Sequence, residues 1–144
     1  MKALTISLGL VLALASPATA DSKVVLTQGF AAFETTIPGN FNSLEAILPA
    51  LFALADQAAG GGEQGYVGKR NDCKDLIYYY RGVRIEAETV ILSFAKGAIP
   101  YFSGPVGEDT IIMASLHGTV MLYQPNAKRI ALEIDGKPWK NEDP

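Results

Sequence analysis

The sequence predicts an α+β domain in which one helix packs on a curved antiparallel sheet of about four to five strands. Three observations support this fold class: an apolar stripe at helical spacing within residues 44–55, segments of alternating apolar and polar residues after residue 76, and turns rich in glycine and proline between them. The predicted order of elements is β-α-β-β-β-β. A small β-barrel or sandwich with a peripheral helix is the alternative.

The N-terminal twenty residues have the pattern of an export signal. Lys2 supplies a positive charge, residues 3–16 form an apolar run, and residues 18–20 read Ala-Thr-Ala. This order is typical of a secretory signal peptide that is cleaved after Ala20, and an uncleaved membrane anchor is the alternative. The apolar run is shorter than the roughly 20 residues that span a bilayer. We therefore expect residues 21–144 to form a single globular domain that does not insert into a membrane.

The net charge and the cysteine content of the chain argue against some classes of function. The chain has 12 Lys and Arg against 15 Asp and Glu, a net charge of −3. This argues against a nucleic-acid partner, because nucleic-acid binding requires a basic surface. Cys73 is the only cysteine, so no disulfide can form within the chain. Asn-X-Ser/Thr glycosylation sites are also absent. Together with the alanine-rich signal, this favours a bacterial protein that is periplasmic or secreted.

The first predicted elements of the domain are a strand and the start of a helix. Residues 24–36 are rich in β-branched and aromatic side chains and predict one strand, in which Gly29 marks a bulge or bend. Residues 38–40 read Pro-Gly-Asn and predict a turn. Asn42 followed by Glu45 has the pattern of a capping box, so we expect the helix to begin at Asn42.

The helix is predicted from one apolar stripe, which consists of Leu44, Ile47, Leu48, Leu51, Phe52 and Ala55. Pro49 lies within the stripe, so the helix is either kinked there or begins there with proline in its first turn. The three glycines at 60–62 end the helix. Residues 60–75 are polar and rich in glycine, and they predict a loop.

The C-terminal half is predicted to consist mainly of strands. Residues 76–81 and 83–95 change to a period of two, which is typical of strands with one buried face. Residues 96–109 contain three glycines and two prolines and predict a long loop. Residues 110–123 are apolar on both faces and predict a long strand, and the clean alternation of residues 129–135 predicts the last strand.

His117 is the only histidine and the candidate general acid or base. On the predicted strand it shares a face with Ser115, at a spacing of about 7 Å that is too long for a direct hydrogen bond between a nucleophile and its base. Such an enzyme would need another serine and an orienting acid, for which Glu86 or Glu88 is the candidate. The alternative is a histidine of the core or its rim that is satisfied by a hydrogen bond.

Cys73 is a candidate reactive thiol, and it could also link two copies of the chain into a homodimer. The basic residues 69–70 and Lys74 favour the thiolate, whereas Asp72 opposes it. The alternative is a passive thiol that the loop partly shields. One histidine and one cysteine cannot by themselves build a zinc site, so the sequence predicts no metal centre.

Two aromatic segments are candidate recognition surfaces. Tyrosines fill positions 78–80, and on a strand Tyr78 and Tyr80 would share one face. Tyr101 and Phe102 lie at the centre of the predicted long loop, and loops of this length in compact domains are often functional. Alternatively, the three tyrosines form an aromatic core layer, and the Tyr101 and Phe102 rings fold back onto the sheet.

The first function hypothesis is an exported, non-enzymatic binding protein of the cell envelope. It recognises a protein partner or a small apolar ligand through the aromatic loop at 96–109, with tyrosine as a recurrent anchor of such surfaces. The second is an enzyme that uses His117 in a cavity between helix and sheet. The third is a subunit of an envelope assembly, joined through Cys73 or an edge strand. No cofactor is predicted.

Overall fold

The computed structural model describes residues 20–28, 31–54, 71–103 and 108–139. Within them the chain forms three α-helices, a two-stranded hairpin and a mixed sheet of four strands. The α+β class is confirmed, and the described strands form no closed barrel. The predicted signal peptide, Gly29 and the glycines at 60–62 lie outside these ranges. No helix in the described ranges is long and apolar enough to cross a membrane.

The hairpin pairs β1 (Asp21–Gln28) with β2 (Ala31–Pro38) in antiparallel register. The prediction of one strand over 24–36 is therefore wrong, because the chain reverses within that segment. Both halves are rich in β-branched residues, so composition alone does not mark the reversal. The inner face of the hairpin joins the core through Val24, Leu26 and Ile37.

Helix α1 (Leu44–Ala53) confirms the predicted helix, with Pro49 inside it. Ser43, rather than Asn42, is the N-cap, and its hydroxyl accepts a hydrogen bond from the Ala46 N–H at 3.3 Å. The buried stripe matches most of the predicted one and consists of Leu44, Ile47, Leu48, Leu51 and Phe52.

The C-terminal end of α1 is held by the side chain of Asn71, which lies 17 residues after Leu54 in the sequence. The Asn71 side-chain amide donates hydrogen bonds to the carbonyls of Leu51 and Leu54, both at 2.7 Å. Carbonyls in the last turn of a helix lack the usual partner four residues on, and the Leu51 carbonyl accepts one further hydrogen bond, from the Leu54 N–H at 3.2 Å. The Asn71 side-chain oxygen also accepts a hydrogen bond from the Cys73 N–H at 3.1 Å. Asn71 is thereby buried with both ends of its amide satisfied.

The region after residue 76 folds into shorter pieces than predicted. Residues Leu76–Tyr78 form a 3₁₀ helix instead of a strand. The predicted strand at 83–95 is two strands, β3 (Tyr80–Glu86) and β4 (Thr89–Phe94), which pair antiparallel. Ala87, at the tight turn between them, has a φ of 53°, which a strand does not allow.

The predicted loop at 96–109 is largely helical where it is described. Residues Lys96–Ala98 form a 3₁₀ helix, and α2 (Ile99–Phe102) follows directly. The strand predicted at 110–123 is wrong, because these residues belong to helix α3 (Glu108–Tyr123). Residues Ile112, Leu116 and Val120 form its buried face at a spacing of four. The predicted strand at 129–135 is confirmed as β5 (Arg129–Ile134).

Helix α3 connects β4 to β5, which lie side by side and run parallel. Parallel neighbours need a crossover connection, and α3 supplies it. The sheet order is β3-β4-β5-β6, where β6 (Lys137–Trp139) pairs antiparallel with β5. The predicted antiparallel sheet is therefore corrected to a mixed one.

Helix α3 also covers the free edge of β1. The Thr119 hydroxyl accepts a hydrogen bond from the Val25 N–H at 2.9 Å, and the Ser115 hydroxyl donates one to the Val25 carbonyl at 2.5 Å. Gly118 allows this close approach, because a Cβ at that position would lie 2.7 Å from Val25 Cγ1. Two side chains of the helix thus replace the strand that would otherwise pair with β1 at Val25.

Candidate functional site

The candidate site begins at an uncovered part of β5. Strand β6 pairs only with residues 132–134, so no described strand lies beside residues 129–131 on that side. The Arg129 N–H donates to the Glu88 carbonyl at 3.3 Å, and the Asp135 N–H donates to the Phe94 carbonyl at 3.0 Å. Odd-numbered residues therefore direct their backbone groups towards β4. Because backbone direction alternates along a strand, Ile130 directs its N–H and C=O to the uncovered side.

A groove of about 290 Å³ lies at this uncovered edge. Helix α2 contributes Phe102, α3 contributes Met113, and the end of β6 contributes Trp139. The remaining wall is formed by four consecutive residues of β5, at 129–132. Consecutive residues of a strand point to opposite faces. The groove therefore meets β5 along its edge rather than on one face.

The walls of the groove are mostly apolar, and part of this surface is anchored in the core. Phe102 is only 3% exposed, and its ring lies 5.1 Å from the ring of Phe94. Met113, Ile130, Leu132 and Trp139 are half-buried and pack against the same core cluster. An apolar wall held by core packing is pre-formed, which is the usual condition of a ligand site.

Among the described residues that line the groove, Arg129 is the only charged one. It is exposed, and the ion pairs of the described residues do not include it. Its neighbour Lys128 pairs with Glu88 at 2.9 Å. The groove therefore combines an apolar interior with one cationic residue that has no described carboxylate partner.

The acidic residue of β5 is already engaged on the outer face of the sheet. Glu133 accepts two hydrogen bonds from the Arg84 guanidinium and one from the Ser93 hydroxyl at 2.9 Å. These hydrogen bonds, first from Arg84 and then from Ser93, lower the pKa of Glu133 to about 2. Glu86 accepts a further bond from Arg84 at 2.8 Å. Neither acid is left free to neutralise Arg129.

The candidate tyrosines occupy three different environments. Tyr78 is 72% exposed on the 3₁₀ helix, so it does not share a strand face with Tyr80 as predicted. Tyr80 packs against the rings of Phe52 and Phe94 at 5.1 and 5.7 Å. Burial, followed by the charge of Glu45, raises the pKa of Tyr80 to about 12. Its hydroxyl is buried without a hydrogen-bond partner.

Tyr101 and Phe102 separate although they are adjacent in sequence. Phe102 lines the groove, whereas the half-buried Tyr101 ring lies 6.0 Å from the ring of Tyr79. Desolvation by burial raises the pKa of Tyr101. Of the four predicted binding residues, Phe102 is thus the one that reaches the groove.

His117 is exposed on α3, and the buried Ser115 lies on a different side of this helix. Two residues along an α-helix are separated by about 200°, so the predicted shared face of Ser115 and His117 is wrong. His117 is also absent from the lining of the groove. This placement gives no geometric support to a catalytic role.

Cys73 is fully buried, and its Sγ lies 3.9 Å from the Ile112 carbonyl oxygen. Burial raises the pKa of the Cys73 thiol to about 12, although a hydrogen bond with Ser115 opposes the rise. The thiol is therefore neutral at physiological pH, and its sulfur cannot reach a second copy without local opening. The described residues also contain no group of three or more His, Cys, Asp and Glu side chains that could hold a metal ion.

Six of the seven described lining residues were not predicted from the sequence as site residues: Met113, Arg129, Ile130, Ala131, Leu132 and Trp139. Trp139 is the only tryptophan of the chain, and its position in a polar tail is the one local signal that could have marked it. Comparison with known proteins found no matching family model, curated protein or solved structure. The fold and the groove therefore identify the chain only as an α+β domain. Its groove lies at a sheet edge, has mostly apolar walls and contains one described cationic residue.

Proposed function

We propose that the chain is an exported, non-enzymatic binding protein of the cell envelope that recognises its partner through the groove at β5. The observation that carries this proposal is that an aromatic wall, at Phe102 and Trp139, meets residues 129–132 of β5 in one groove. The partner is a protein segment or a small apolar ligand. Phe102 belongs to the aromatic segment at 96–109, which therefore takes part in recognition through one of its two central rings.

Trp139 offers a direct measurement of this proposal, because it is the only tryptophan and it lines the groove. The probe is anilinonaphthalene sulfonate, an apolar anion that fluoresces when it leaves water. We expect saturable energy transfer from Trp139 to the bound probe. Ile130→Thr, which keeps a β-branched side chain but places a hydroxyl on the apolar wall of the groove, should weaken probe binding while the urea unfolding transition shows that the fold is retained.

Matched controls remove apolar surface elsewhere. Tyr78→Ala and Ile85→Ala truncate side chains that are 72% and 48% exposed and do not line the groove. Both should leave probe binding unchanged. If these variants reduce binding as much as Ile130→Thr does, the probe reports general surface hydrophobicity and the proposal fails. Absence of saturable transfer in the parent protein has the same consequence.

Export is tested separately, by the mass of the protein recovered from the envelope of its own host. A mass that begins at Asp21 supports cleavage after Ala20 and an extracytoplasmic location. Recovery of the uncleaved chain in the cytoplasm contradicts that part of the proposal. The groove experiment is unaffected by either result, because the groove lies wholly in residues 102–139.

A further inference from the structure

We infer that residues 140–142 continue β6 along β5, so that Glu142 lies beside Arg129 and the Asn141 side chain joins the wall of the groove. Residues 140–142 lie outside the described ranges. Three features of the described residues support their placement: the register of β6, the backbone direction of β5 and the charge of Arg129. The place of Asn141 in the groove deepens the proposed function and depends on it, whereas the added strand does not.

The register of β6 is fixed by the turn that precedes it. Asp135 and Gly136, the two residues between β5 and β6, have φ values of 50° and 77°, which are typical of a tight hairpin turn. Trp139, the last described residue of β6, lies opposite Leu132. Each step forward on β6 moves one residue back on its antiparallel partner. Residue 140, which is bonded to Trp139, therefore lies opposite residue 131 if the strand continues.

The backbone of Ile130 supplies the hydrogen-bonding groups for this extension. Its N–H and C=O point to the same side of β5 as those of Leu132, where Leu132 meets Trp139. Backbone donors and acceptors are costly to leave unpaired once they lose contact with water. In the register of β6, Asn141 lies opposite Ile130, and its own N–H and C=O satisfy both groups at once.

The charges along β5 favour the same register. One residue beyond Asn141, Glu142 lies opposite Arg129, and opposite charges that face each other across antiparallel strands stabilise the pair. Arg129 is exposed and takes part in none of the ion pairs between described residues. Lys140 lies opposite the uncharged Ala131, so the extension brings no like charges face to face.

The alternation of side chains places Asn141 at the groove. Residues that lie opposite each other on antiparallel strands share one face of the sheet, so Asn141 lies on the face of Ile130. Leu132 and Trp139 lie on this face as well, and all three described residues line the groove. Asn141 thus adds an amide to mostly apolar walls. The groove then suits an apolar ligand with one polar group that hydrogen bonds to this amide.

The added strand is tested by amide hydrogen exchange, measured by NMR on residues 21–144 and on a variant that ends at residue 139. Both samples are kept at a concentration at which light scattering shows monomers. We expect the Ile130 N–H to exchange at least about tenfold faster in the shortened chain, because it loses its acceptor. The Ile134 N–H is the control, since Ile134 pairs with Lys137 in both chains and should keep its rate. Equal Ile130 rates in the two chains overturn the inference.

An exchange of charges tests the register. Arg129→Glu and Glu142→Arg should each raise the Ile130 exchange rate by about twofold to fivefold, because each places like charges opposite each other. The double variant restores opposite charges and should return to the parent rate. Arg129→Glu with Asp143→Arg is the matched control, since Asp143 lies on the other face in this register and should not restore the rate. Equal rates in the two double variants contradict the pairing of Glu142 with Arg129.

Asn141→Asp tests the place of Asn141 in the groove. The added negative charge should weaken binding of the sulfonate probe by at least about threefold. Asn126→Asp makes the same change at an exposed position that does not line the groove, and it should alter binding by less than about 1.5-fold. Equal affinities of the two variants refute this placement. If the parent chain does not bind the probe, the proposed function and the placement of Asn141 fail together, and the Ile130 exchange rates still decide whether the strand forms.

Discussion

Replacement of Thr119 by valine tests how helix α3 is fixed on the hairpin. The Thr119 hydroxyl accepts the Val25 N–H at 2.9 Å, and the two residues are 0% and 7% exposed. Valine keeps the shape of threonine but cannot accept this bond, so a buried backbone donor loses its partner. Such a donor costs about 1–3 kcal/mol, and we expect the free energy of unfolding to fall by about 2 kcal/mol. In a domain of this size the melting temperature falls by roughly 4 °C for each kcal/mol.

The assay is urea unfolding of the mature chain, followed by far-ultraviolet circular dichroism. The midpoint should fall while the slope m stays constant, because the surface exposed on unfolding is unchanged. Thr36→Val on β2 is the matched control, since Thr36 is exposed and its substitution should alter stability by less than about 0.5 kcal/mol. A Thr119→Val midpoint equal to that of the parent would refute the view that this hydrogen bond stabilises the docking of α3.

Three further predictions concern other parts of the molecule. Asn71→Ala removes two hydrogen bonds to the end of α1 and should lower the unfolding free energy by about 2–4 kcal/mol in the same urea assay; an unchanged midpoint contradicts this role. Cys73 is buried and its thiol pKa is raised to about 12, so it should resist a thiol reagent at pH 8 in the folded protein and react with it in urea. Rapid reaction of the folded protein would contradict the buried position of Cys73. The carboxyl of Glu133, whose pKa is lowered to about 2 by Arg84 and then Ser93, should titrate near pH 2 by NMR and near its ordinary value in Arg84→Met. Because the folded pKa is the lower one, its contribution to stability is present above the unfolded pKa of about 4.3 and is lost as the pH falls towards 2.

Helix α1 and strand β5 could be predicted because their signals are local. The stripe around Leu48 repeats at helical spacing, and Pro49 does not prevent the helix, because the stripe it interrupts is buried on the core. In β5, Ile130, Leu132 and Ile134 alternate with polar residues, and this pattern survives folding since one face meets the core. In both elements, local preference and tertiary packing favour the same structure.

Helix α3 could not be predicted in this way, because distant contacts decide its conformation. Ser115, Gly118 and Thr119 have low helix propensity, and the two hydrogen bonds of Ser115 and Thr119 reach Val25, 90 and 94 residues away. These small residues are needed because helix α3 packs closely against β1. The same residues lower the helix propensity of the segment, so the residues that dock the helix also weaken the sequence signal for it. The strand prediction for 110–123 failed for this reason.

The groove could be predicted only in one residue, Phe102. Its other described walls come from α3, β5 and β6, and they meet because the crossover through α3 places β5 parallel to β4. This pairing joins segments that are distant in sequence. Single-sequence periodicity reports which face of a strand is apolar, but it does not report which strand lies beside it.

Two of the described strand edges carry features that block pairing with other chains. Exposed edges invite pairing with other chains, and proteins commonly block them. The edge of β1 is covered at Val25 by helix α3. In β6, Pro138 lies opposite Glu133, a residue directed towards β4, so the proline nitrogen lies on the outer edge, where it cannot donate a hydrogen bond.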